Sequence, residues 1–144
     1  MKIFFDTTIL VELDRKMSKS ESLARSLVEN CHEILISTVT ISEVLAGSYL
    51  TKNVGNSVME AKRIMSQFTF IDLDEKIAET SAKYIAFLTV EGNIIEFPDI
   101  VIAATAIETN SDYLITLNKQ HFQRLPELKG KVFTPSEFIK KIRL

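Results

Sequence analysis

The sequence predicts an α/β fold built on a mainly parallel sheet with helices on both faces, and two observations predict it. Short apolar runs that read as buried strands alternate with longer segments whose apolar residues recur at helical spacing. That alternation favours a parallel sheet whose faces are both covered. The chain shows no internal repeat, low-complexity tract or clear linker, so residues 1–144 are expected to form one domain. A hydrophobic content of 46% over 144 residues is enough for a sizeable core.

The elements follow in order. Lys2-Ile3-Phe4-Phe5-Asp6 is an apolar strand that ends on a carboxylate, and Ile9, Leu10, Val11 and Leu13 continue as a helix. Ser18-Lys19-Ser20-Glu21 has the Ser-x-x-Glu form of a capping box and should open a helix with Leu23, Ala24, Leu27 and Val28 on one face. Glu33 to Ser37 reads as the second strand, and a helix follows from about Val39 through Val44 to Tyr49, stopping near Thr51 to Asn53. Val54, Val58, Ala61, Met65 and Phe68 repeat at helical spacing, and methionines in such a stripe are expected to be core filler. Thr69 to Leu73 is a short strand, after which Asp74 can cap a helix carrying Ile77, Ser81, Tyr84, Ile85 and Leu88. Gly92-Asn93 marks a turn. Pro98 suits the start of a helix running from 99 to 109, apolar nearly all round and therefore expected at the centre of the molecule. Residues 112–117 return as a strand, Val132-Phe133 forms a short one, and a last helix starts at Pro135.

Three acids stand at telling places. Asp6 ends the first strand, Glu43 lies in the helix after the second, and Asp99 opens the buried helix. In open α/β sheets ligands bind outside the carboxyl ends of the strands, so the three could meet there. Clustered carboxylates raise one another's pKa values unless a cation joins them. Hard oxygen donors with room for water suit Mg²⁺ or Mn²⁺ and substrates that carry phosphates. Each acid also has a purely structural reading. Asp6 could cap the following helix, Thr40-Ile41-Ser42-Glu43 is itself a capping-box pattern, and any helix favours negative charge at a first-turn position such as Asp99.

Other chemistries are excluded more readily. The four glycines, Gly47, Gly55, Gly92 and Gly130, are scattered, so no phosphate-cradling loop exists. Aspartyl-phosphate enzymes need a second acid two residues after the first, where this chain has Thr8. Cys31 is the only cysteine and has no motif around it, so no internal disulfide forms and a Cys/His zinc site is not expected. His32 reads as a surface residue before a strand and His121 as a helix-turn residue near Phe122. No run approaches the length of a membrane span and no signal peptide is evident, so a reducing, cytoplasmic setting is expected. Net charge is −2, which disfavours indiscriminate nucleic-acid binding. Residues 113–144, however, hold seven Lys or Arg, Arg143 among them, against Glu127 and Glu137. That gives +5 locally and leaves −7 for the rest. An acidic body can hold cations while a basic region steers a polyanion, although a charge run is often only a solvated face.

Four segments in order resemble the PIN domain family, and VapC-type toxin ribonucleases in particular. They are Ile3-Phe4-Phe5-Asp6-Thr7-Thr8-Ile9-Leu10, the stretch from Ile36 to Val44 that carries Glu43, Pro98-Asp99 with its Ile/Ala-rich helix, and Leu114-Ile115-Thr116-Leu117-Asn118-Lys119-Gln120-His121-Phe122. The resemblance implies a Rossmann-like α/β/α sandwich and a Mg²⁺- or Mn²⁺-dependent endoribonuclease of single-stranded RNA. Asp6, Glu43 and Asp99 match the family's acidic metal-site positions. On that pattern Asp6 and Asp99 hold the metal directly, Glu43 positions or activates water, and Asn118 completes the polar rim. Thr8 and Thr116 would serve as supporting or substrate-orienting hydroxyls. Asn118 replaces the fourth acid of many members, which puts a second metal in doubt. Lys119 and Arg124 are candidate contacts to RNA phosphates. The family also implies a small antitoxin partner and a homodimer, with the stretch carrying Val54, Met59, Met65 and Phe68 serving as a dimer surface or as core. Two alternatives stay open at this point, an RNA-processing PIN nuclease without an antitoxin and a non-catalytic binding module.

Overall fold

The computed structural model of the chain describes residues 1–142, so Arg143 lies outside it. Among the described residues the expected strands all form: β1 (Lys2–Phe5), β2 (Glu33–Ser37), β3 (Thr69–Ile71), β4 (Tyr113–Ile115) and β5 (Val132–Phe133). They make one sheet of order β3-β2-β1-β4-β5, and every pairing is parallel. β1 is central, with Ile3 opposite Ile34 on one side and Tyr113 on the other. The chain first builds outward from β1 through β2 to β3, then returns to the opposite side of β1 for β4 and β5. The order therefore reverses between β1 and β4, the kind of place where a doubly wound sheet opens a crevice.

The helices are α1 (Thr7–Asp14), α2 (Ser18–Glu29), α3 (Thr38–Tyr49), α4 (Val54–Met65), α5 (Glu75–Glu91), α6 (Phe97–Glu108), α7 (Lys119–Gln123) and α8 (Pro135–Ile142). Side chains alternate faces along each strand, and the two faces carry separate cores. On one, Ile3, Phe5, Ile34, Ile36 and Ile115 pack with residues of α1, α2, α4 and α8, and the Phe5 and Phe68 rings meet edge to face at 5.7 Å. On the other, Phe4, Leu35, Leu114 and Val132 pack with Ile77, Tyr84 and Leu88 of α5 and with α6. Residues 100–106 of α6 are all buried, as its all-round apolar sequence requires.

Local signals mostly act as their chemistry predicts. Asp74 caps α5 by accepting from the Ile77 N–H at 2.8 Å, and Gly92 ends that helix at a φ of 71°, where a glycine is unstrained. Asn53 caps α4, which places the break that the sequence located between residues 51 and 53. The capping box at Ser18 does not form. Met17 holds the N-cap position, Ser18 is already helical, and Ser20 turns its hydroxyl to the carboxylate of Glu12 instead. The methionine stripe divides: Met65 and Phe68 are buried in the core, whereas Met59 is exposed. Helix α7 and the 3₁₀ turn Pro126–Leu128 were not foreseen beyond the helix-turn reading of His121. Among the described residues no helix is long and apolar enough to cross a membrane.

Candidate active site

The reversal of strand order places the ends of β1 and β4 beside each other. Asp6 follows β1 directly, and its backbone N–H still reaches across to the Ile115 carbonyl at 3.0 Å, which fixes the residue against β4. The residue is 1% exposed. Oδ2 accepts from Thr116 Oγ1 at 2.7 Å and from Thr8 Oγ1 at 2.8 Å. These hydroxyls in turn accept backbone N–H groups, Thr116 from Asn118 at 2.9 Å and Thr8 from Leu117 at 3.1 Å. The turns after β1 and β4 are thus stapled together through one carboxylate oxygen. The other, Oδ1, is buried and has no hydrogen-bond partner among the described residues. Although Asp6 occupies the N-cap position of α1, it makes no side-chain capping bond, so the capping reading of Asp6 fails.

Glu43 projects from α3, and its Oε1 accepts from Thr7 Oγ1 at 2.7 Å, while Thr7 Oγ1 lies 2.9 Å from Thr40 Oγ1. The helix is capped by Ser37, so Thr40-x-x-Glu43 is not a capping box. Asp99 sits in the first turn of α6, where its charge also suits the helix N-terminus. Its Oδ2 is 3.1 Å from His121 Nδ1. Asp6, Thr8, Glu43, Asp99 and Asn118 all line one cleft of about 590 Å³, together with Thr7, Glu12, Arg15, Glu96, Leu117 and His121. Five of the lining side chains are carboxylic acids, against the single guanidinium of Arg15.

That imbalance shows in the acids themselves. Burial pushes the Asp6 carboxyl above its ordinary pKa, and the nearby charge of Asp99 adds to this, against the lowering effects of the Thr116 and Thr8 hydroxyls and, least, of the Thr7 backbone N–H. Glu43 is raised by burial and by the charges of Asp6, Asp99 and Glu96, with the Thr7 bond opposing. The cleft therefore concentrates negative charge that its own cations do not offset.

The donor set fits a small divalent cation. A buried carboxylate oxygen with no hydrogen-bond donor is costly unless something positive meets it. Asp6 Oδ1, Asp99 and the Asn118 carbonyl are hard oxygens of the kind Mg²⁺ and Mn²⁺ prefer. The described residues contain no group of three His, Cys, Asp or Glu side chains close enough to cage an ion unaided. Mg²⁺ does not require one, since it keeps several waters and is usually held by one or two carboxylates plus substrate phosphates.

The two basic candidates lie elsewhere. Lys119 borders an adjoining pocket with Asn118 and His121, but its ammonium is paired with Glu137 at 3.1 Å and lies over the Phe133 ring. Arg124 is exposed and lines neither the cleft nor that pocket. Conversely, sequence reasoning gave no role to Thr7, Thr40 or His121. The signal for all three is their place inside the motif segments quoted above, although Thr40 also fits a capping pattern.

Comparison with known proteins gives a consistent picture. The PIN domain family matches residues 3–128. Ribonuclease VapC from Rickettsia bellii (strain RML369-C) is 30% identical over 132 residues, covering 90% of this chain and 94% of the relative. Among solved structures, VapBC2 from Rickettsia felis bound to a promoter DNA fragment has a chain that superposes with a TM-score of 0.83. It is 24% identical and spans 93% of this chain and 98% of that one. A toxin–antitoxin complex from Klebsiella pneumoniae has a chain with a TM-score of 0.70 and 26% identity, spanning 92% of this chain and 97% of its own length.

Proposed function

Since the chain belongs to the PIN domain family, we propose that it is a ribonuclease toxin of the VapC type, hydrolysing phosphodiester bonds of single-stranded or structured RNA with the help of Mg²⁺ or Mn²⁺. The observation that carries this reading is the buried Asp6 Oδ1, without a hydrogen-bond partner among the described residues, on a residue that lines the acidic cleft at the reversal point of the sheet.

When bound, the cation supplies a more acidic water and neutralises charge that develops on the phosphate. Asp6 through Oδ1 and Asp99 through its carboxylate are the residues that would hold it, and Asn118 offers its carbonyl oxygen at the rim. Glu43 is tied by Oε1 and keeps Oε2 to orient the attacking water and take its proton, a task helped by a carboxylate whose pKa is raised above its ordinary value. Thr8 and Thr116 hold Asp6 in place. Asn118 in place of a fourth acid favours one cation over two. Lys119 and Arg124 lie outside the cleft and would meet phosphates only on flanking nucleotides.

The same reading includes a small antitoxin protein as partner, since the Klebsiella pneumoniae neighbour is a toxin–antitoxin complex. It also includes self-association and a cytoplasmic setting in which the exposed Cys31 stays reduced. The test is cleavage of an end-labelled single-stranded RNA panel by wild type, Asp6→Asn and Asp99→Asn, with Mg²⁺, Mn²⁺ or EDTA. Metal-dependent cleavage by wild type, lost in both variants with the fold retained, is the expected result. Unchanged cleavage by the variants would overturn the assignment of these acids, and folded wild type without activity would favour a binding module.

A further inference from the structure

Thr7 and Thr40 are joined to Glu43 in a way that fixes the direction of every proton. Thr7 has one hydroxyl proton, and an ionised carboxylate can only accept. The Thr7 proton therefore goes to Glu43 Oε1 at 2.7 Å, and Thr40 must donate in its 2.9 Å contact with Thr7. A hydroxyl chain of this kind polarises along its length. Both threonines are buried, Thr40 completely. Thr7 opens α1 immediately after Asp6, and Thr40 stands three residues before Glu43 on the same face of α3. The relay thus crosses between two elements and sets where Glu43 lies relative to Asp6.

The arrangement parallels the one at Asp6. There, threonine hydroxyls hold Oδ2 and leave Oδ1 free. Here Thr7, backed by Thr40, holds Oε1, and Oε2 carries no hydrogen bond among the described residues. We propose that Thr7 and Thr40 are a positioning pair for the hydrolysis, holding one oxygen of Glu43 so that the other faces the reacting water. This rests on the nuclease reading above and adds residues to it. A packing role alone makes the opposite demand on side chains, because valine copies the shape of threonine without its hydroxyl, while serine keeps the hydroxyl and loses a methyl.

The experiment compares Thr40→Val with Thr40→Ser, and Thr7→Val with Thr7→Ser, by steady-state RNA cleavage, by Mn²⁺ calorimetry and by thermal melting. The valine variants should lower kcat by roughly 10- to 100-fold at Thr7, the size of a lost bond to a charged group, and by several-fold at Thr40. KM should be unchanged. Their Mn²⁺ dissociation constants should rise several-fold, because an untethered Glu43 takes a negative charge away from the ion that Asp6 and Asp99 would hold. The serine variants should stay near wild type in both assays. Valine variants that match wild type while serine variants lose activity would overturn the proposal and leave only packing. Should Thr40→Val not fold, the Thr7 pair reads the same relay from its other end. If wild type cleaves no RNA, the nuclease reading fails by itself, and Mn²⁺ affinity still decides whether the hydroxyls order Glu43.

Discussion

Replacing Asp6 with Asn should make the metal-free protein more stable while removing its activity. The amide oxygen of Asn can accept from Thr8 and Thr116 as Oδ2 does now, so the staple between the two turns survives. What changes is the partnerless oxygen, where a buried charge gives way to a buried neutral amide. An unsatisfied ionised group costs more than an unsatisfied neutral one, and the difference here should be about 1–3 kcal/mol, a rise in Tm of roughly 3–9 °C for a chain of this length. The pH dependence gives the sign. Burial, and the charge of Asp99, raise the folded-state pKa of Asp6 above its ordinary 3.8. Between those two values the folded protein keeps a proton that the unfolded chain has lost, so wild-type stability falls as pH rises through that window. Asp6→Asn lacks this loss, and its advantage should grow from nothing below pH 3.8 as pH rises toward and through the raised folded-state value. Thermal melts of both proteins in EDTA across pH read this directly. Saturating Mn²⁺, at about 100 times its dissociation constant, should then stabilise wild type by about 2.7 kcal/mol and leave the variant unmoved. A variant that melts lower than wild type in EDTA at neutral pH would refute the idea that Asp6 carries an uncompensated charge.

Three further outcomes follow from the same structure. Glu43→Gln keeps an acceptor for Thr7 and removes a charge that burial and the neighbouring acids disfavour, so without metal it should melt no lower than wild type, yet cleave RNA roughly 10²- to 10⁴-fold more slowly, the usual contribution of a general base. Thr116→Val removes a donor to Asp6 and the acceptor for the Asn118 N–H, and in denaturant titration it should cost about 1–3 kcal/mol. Phe4→Ala empties a fully buried site on the α5–α6 face of the sheet and should cost about 3–5 kcal/mol by the same titration.

The fold was legible because its signals are local. A buried parallel strand must be apolar on both faces, and Ile3-Phe4-Phe5 and Ile34-Leu35-Ile36 say so without help from the rest of the chain. The all-round apolar α6 declares its central place in the same way. The Ser18 pattern misled for a physical reason: Ser-x-x-Glu fits the first turn of a helix as well as its cap, and only the tertiary position of Glu12 decided where Ser20 would turn. At the site, the acids were visible as strand-end and helix-start carboxylates. Their supporting hydroxyls were less so. Thr40 reaches Thr7 across 33 residues and Asp99 reaches His121 across 22, and no sequence periodicity records a contact between different elements. The basic tail pointed to RNA contacts from charge alone, but pairing of Lys119 with Glu137 depends on how α8 packs and could not be read from composition.

The most direct test of the account is to grow crystals in Mn²⁺ and locate the metal by its anomalous scattering. The account places an anomalous peak within coordination distance of Asp6 Oδ1 and an Asp99 oxygen, with the Glu43 carboxylate still held by Thr7. No peak in the cleft of well-diffracting crystals, or a Mn²⁺ ion bound elsewhere with Asp6 Oδ1 still bare, would contradict it.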